Sequence, residues 1–112
     1  MSVPFEELEK LKDYRFGLER FQTSLLNLTI FATSREKPHR KVYLQFVEVG
    51  YIKMPMDWLG GLELGSAQER AEIAALAGLP VGGLSSTTQL YKSRQGEVLI
   101  LGSLMLIEEP AP

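Results

Sequence analysis

From Tyr14 onward, apolar and polar side chains follow one another with a period of two. Tyr14, Phe16 and Leu18 are separated by Arg15, Gly17 and Glu19, which predicts a strand with one buried face. After the polar turn Gln22-Thr23-Ser24, Leu26, Leu28, Ile30 and Ala32 alternate with Asn27, Thr29, Phe31 and Thr33. This is the clearest strand pattern in the chain. The loop Ser34 to Arg40, with Pro38 inside it, leads to Val42, Leu44 and Phe46, which resume the alternation. At Phe46-Val47 the apolar phase slips by one residue, and Val47, Val49 and Tyr51 carry it onward. Such a slip turns every later side chain to the other face unless a bend absorbs it, and Gly50 is the residue best suited to a bend.

Two segments follow the longer helical period instead. Pro4, Glu6, Glu7 and Glu9 place a proline and negative charge in a first turn, and Phe5, Leu8 and Leu11 share a face, so 4–12 reads as a short amphipathic helix. Ser66-Ala67-Gln68-Glu69 matches a capping box, Ala71 to Ala77 continue it, and Gly78 and Pro80 stop it. A helix over 66–77 is predicted. The glycine-bearing stretch 81–86 then leads to a hairpin turning at Arg94-Gln95-Gly96, where Gly96 takes the left-handed position.

Together these elements predict an α+β domain spanning 1–112. Its antiparallel sheet has five or six strands, about 14–20, 25–33, 41–54, 87–93 and 97–107. Helix 66–77 packs on one face, and helix 4–12 lies at an end or edge.

The last strand is the most apolar. Val98, Ile100, Leu104 and Leu106 fill one face, and Leu99, Leu101, Met105 and Ile107 fill the other. Either both faces are covered within the chain, or the face of Leu99, Leu101, Met105 and Ile107 meets a partner or a second copy.

Composition narrows the chemistry. There is no cysteine and a single histidine, and 12 basic against 14 acidic residues give a net charge of −2. Thiolate metal sites and cysteine nucleophiles are excluded, and a phosphate-gripping protein is disfavoured. The acidic N-terminal segment is unlike a secretory signal, and no apolar run reaches membrane-spanning length, so the expected location is the cytoplasm with no membrane contact.

Three clusters remain. Tyr51, Met54, Met56, Asp57 and Trp58 gather the sole tryptophan, two methionines and a carboxylate, enough to line a small-molecule pocket or to form a lid on the sheet. Arg35, Lys37, His39, Arg40 and Lys41 form a basic loop able to grip an anion, although its ordinary role is a solvated turn. Glu48 is a carboxylate inside a strand, expected to point outward and to pair across the sheet. His39 lacks the neighbours a metal site or a triad needs, and the serines and threonines at 85–88 have no histidine beside them.

No catalytic residue, cofactor or metal site is expected. The function expected from these residues is a non-catalytic interaction module, either a homodimer or a partner-binding inhibitor or adaptor. The alternative is a small-molecule-binding domain with its cleft near Tyr51, Met54 and Trp58.

Overall fold

A computed structural model describes residues 5–24, 26–79, 84 and 87–108, with the backbone alone for Phe5, Glu6, Glu7 and Leu106. Pro4, the glycine pair at 82–83, Ser85, Ser86 and Glu109 lie outside the described residues. Along the chain run α1 (Phe5–Lys10), β1 (Arg15–Gln22), β2 (Asn27–Thr33), β3 (Val42–Lys53), β4 (Asp57–Leu59) and β5 (Glu63–Leu64). Then come α2 (Ala67–Leu76), β6 (Gln89–Lys92) and β7 (Leu99–Glu108).

The described strands form one antiparallel sheet of seven, in the order β4-β1-β2-β3-β7-β6-β5. This corrects the α+β expectation of a helix laid on a five- or six-stranded sheet. The protein is mostly sheet, curled into a half-barrel, and its two helices are only 6 and 10 residues long.

The reason lies in where the apolar side chains go. Phe16, Leu28, Ile30, Leu44, Phe46, Val49, Val98 and Ile100 line the inside of the curl and form its main core, with Tyr91 and Trp58. A sheet that buries its inner face against itself needs no broad helical layer. Leu8 and Leu11, beside α1, join that core. By contrast, α2 packs outside the curl. Its Ile73 and Ala74 bury against Leu90 of β6 and Leu101 of β7 in a smaller cluster.

Irregular pairing accompanies the curl. β1 is bulged between Leu18 and Arg20, and β7 accommodates Met105 where Gln45 and Phe46 of β3 have no extra residue. Bulges increase local twist and bend the strand that carries them. The phase slip in β3 is a third irregularity, between Val47 and Tyr51. Its left-handed residue is Glu48, with φ of 53°, and not Gly50. Gly50 answers a different need, since a Cβ there would come within 2.7 Å of the Leu79 side chain. Leu26, the other non-glycine residue of positive φ, accepts a bond at its carbonyl from the amide of Val49, so the two strained residues adjoin.

The edge strands β4 and β5 are absent from the expected elements. At three and two residues, they are too short to display a period. β4 pairs Trp58 with Phe16, and β5 pairs Leu64 with Tyr91. Between them lie only Gly60, Gly61 and Leu62, so the two ends of the sheet are neighbours in sequence. Gly61, with φ of 66°, lies where a Cβ would approach the Cα of Lys12 to 2.8 Å.

The capping box forms. The Ser66 hydroxyl accepts from the amide of Glu69 at 3.1 Å, and the Glu69 carboxylate accepts from the amide of Ser66 at 2.9 Å. The hairpin turns at 94–96 with Gly96 at φ of 78°, and buried Ser93 accepts at its hydroxyl from the amide of Val98. No helix among the described residues is long and apolar enough to cross a membrane.

Candidate functional site

The outer face of the curled sheet is divided in two. Over β6, the first half of β7 and the end of β3, α2 covers it, and Leu99 and Tyr51 add to the cluster that holds the helix down. Polar ties supplement this packing: the Arg70 side chain donates from Nε to the Thr88 carbonyl at 2.7 Å, and Lys92 donates to Glu69 at 2.8 Å. The lysine holds the Glu69 carboxyl below the ordinary carboxylate range, aided by the Ser66 amide, and Glu69 in turn raises the Lys92 ammonium above its ordinary value.

Over β1, β2, the start of β3 and the end of β7, no described helix covers the outer face. A groove of about 360 Å³ lies there, lined by Glu19, Arg20, Thr29, Tyr43, Gln45 and Glu108. Strand register explains how these six meet. Arg20 pairs with Thr29, and Thr29 with Gln45, which makes one row across three strands. Phe31 pairs with Tyr43, and Tyr43 with Glu108, which makes the adjacent row. The bulge supplies the remaining residue. Ordinary alternation would turn Glu19 and Arg20 to opposite faces, whereas here both are exposed and both line the groove.

A stack holds the near border of the groove in place. Phe31 lies across Gly17, its cross-strand partner, so closely that a Cβ on the glycine would collide with the ring. The Lys41 ammonium sits 4.7 Å from the centre of the Phe31 ring and 3.4 Å from Glu19 Oε1. Exposed ion pairs of this kind contribute ~0.2–1 kcal/mol each, and an exposed cation over a ring about as much. The value of the arrangement is positional: Lys41 neutralises Glu19 and fixes the border.

The sequence-derived clusters distribute differently. Leu99 and Leu101 lie under α2, Met105 is 66% exposed at its bulge, and Ile107 packs against the main core. These four residues therefore do not make one surface. Met105 interrupts the parity of β7, so Ile107 falls on the same side as Leu104.

Tyr51 packs outside the curl and Met54 inside it, while Met56 is 76% exposed. Asp57 pairs with Arg15. Trp58 is 4% exposed, stacked on Phe16 with ring centres 5.3 Å apart, and donates from Nε1 to the Gly61 carbonyl at 3.0 Å. No common pocket gathers these five.

In the basic loop, Arg35, Lys37 and His39 are exposed, Arg40 is half-buried, and Lys41 belongs to the groove border. Glu48 is exposed and has no ion-pair partner among the described residues. Among the described residues, no group of three or more histidine, cysteine, aspartate or glutamate side chains is placed to hold a metal.

Sequence reasoning passed over the groove because its makers are unremarkable one by one. The one available signal was Gly17 in the middle of a strand, since glycine there often marks a close approach or an irregularity. The chain matches no protein-family model, no curated protein and no solved structure.

Proposed function

We propose that this chain is a non-catalytic interaction module and that the half of the outer sheet face that no described helix covers is its contact surface. One observation carries the reading. The half-barrel buries its inner face among its own strands with Leu8 and Leu11, and α2 covers one part of its outer face, while another part presents a groove lined by polar side chains. An open polar concavity of this kind suits a wet, hydrogen-bonded contact rather than an apolar pocket. The self-associating form of the module is one instance of this reading, and the partner-binding form is the other.

A photo-cross-linking amino acid introduced at position 45, in the groove, tests the proposal in cells against the same residue at position 72. Glu72 is an exposed residue of α2. The reading expects a discrete adduct from position 45 and none from position 72. Equal labelling at both positions, or none at position 45, overturns it. Light scattering over a range of concentrations separates the two forms: a doubling of mass identifies the adduct as a second copy, and a constant monomer mass assigns it to another molecule.

A further inference from the structure

Resting on the partner-binding form of that reading, we infer that the groove takes a neutral, hydroxyl-rich partner, namely a short saccharide. The charge of the lining argues for neutrality. Glu19, Glu108 and Arg20 line the same groove, and Lys41, paired with Glu19 at the border, closes the balance. A phosphate or sulfate drawn to Arg20 would meet two carboxylates, and a cation drawn to those carboxylates would meet Arg20 and Lys41. An apolar ligand would have to desolvate the hydrogen-bonding groups of all six lining residues without replacing their partners, which is costly.

Hydroxyl groups suit the same set of side chains. A carboxylate accepts from two neighbouring hydroxyls, a guanidinium donates along a fork, a carboxamide does both, and the Thr29 and Tyr43 hydroxyls turn to either role. The geometry favours a ring-sized repeat. Arg20, Thr29 and Gln45 stand on three neighbouring strands, so their row is about 10 Å wide, close to two sugar rings end to end. Tyr43 stands in the adjacent row, half-buried beside Phe31, and offers the edge of an aromatic body with a polar tip. The bulge at Glu19 is what makes the set complete, because without it the carboxylate and the guanidinium would part to opposite faces.

The experiment is a nuclear magnetic resonance titration of the isotope-labelled full chain. Its probes are a panel of neutral oligosaccharides, a sulfated oligosaccharide and a short oligonucleotide. The inference expects saturable shifts at Thr29, Tyr43 and Gln45 from at least one neutral saccharide, with affinity unchanged on raising salt to about 0.5 M. Tyr43→Ala and Gln45→Ala should each weaken that binding by about ten-fold or more, while the spectrum of the main core stays in place.

The inference is overturned by an absence of shifts from every neutral saccharide. It is equally overturned by shifts from the charged probes alone that vanish in salt, or by saccharide binding that neither variant alters. A protein adduct at position 45 with no saccharide response would leave the contact surface standing and remove the saccharide. Loss of the position-45 adduct as well would remove both.

Discussion

β7 belongs to two different environments. Its first four residues, Leu99 to Gly102, pair with β6, the first three of them also pair with β3, and Leu101 is fully buried beneath α2. Its last six, Ser103 to Glu108, follow β3 alone among the described strands, and the outer face beside them carries the polar groove. One strand thus runs from a helix-covered surface to the proposed contact surface. The change is made by a single inserted residue, Met105, together with the end of α2 coverage. Apolar content therefore does not tell which part of a strand meets a partner; what lies over it does.

The largest effect that tests this contrast belongs to the covered half. Leu101→Ala removes a fully buried side chain from beneath α2 and should cost ~2–4 kcal/mol in urea unfolding. A cost below ~1 kcal/mol would mean that α2 is not a structural cover. Next comes Gly17→Ala, which displaces the Phe31 ring from its place across the glycine and should cost up to ~1 kcal/mol, since the half-exposed ring can swing aside. The same change should shift the resonances of Lys41 and Glu19 while leaving α2 undisturbed. A silent Gly17→Ala would mean that the border of the groove is not built on that contact.

A smaller effect follows from Glu69. Its folded-state carboxyl is depressed by Lys92 and the Ser66 amide, so its contribution is present above the unfolded carboxylate value and lost as pH falls through the lower folded one. Thermal melts of the wild type should therefore lose stability through the acid range more than those of Glu69→Gln, which has no such group to protonate. Identical pH profiles would break the tie between α2 and β6. The smallest change is expected in the bare half, where Gln45→Ala should move stability by no more than ~0.5 kcal/mol. A larger loss would make Gln45 structural and blur the contrast between the two halves.

The long elements were legible because each is long enough to repeat. Leu28, Ile30 and Ala32 in β2, and Val42, Leu44 and Phe46 in β3, are the inward residues their alternation implies. Ser66 and Glu69 mark the start of α2 through local chemistry alone. Of the irregularities that accompany the curl, the slip in β3 was legible, whereas the bulges in β1 and β7 exist only between paired strands. Glu19 becomes an outward neighbour of Arg20 through the register of β1 against β2, which no reading of β1 by itself contains.

Trp58 illustrates the same limit from the other side. Its three-residue strand has no period, so its neighbours in sequence left a pocket lining and a lid on the sheet as alternatives, and its pairing with Phe16 places it in the core. Phe31 and Tyr43 are twelve positions apart and become adjacent only through the β2 and β3 ladder. The groove is thus a product of register, and only its individual residues were visible beforehand.

The short connection from β4 to β5 has a mechanical meaning. An open sheet has two borders, each a template on which foreign strands can assemble. Among the described strands the two borders are the three-residue β4 and the two-residue β5, tethered to each other by Gly60, Gly61 and Leu62. The chain carries both hems of its fabric on one thread. With only three residues between them, any change in that connection acts on β4 beside β1 and on β5 beside β6 at once.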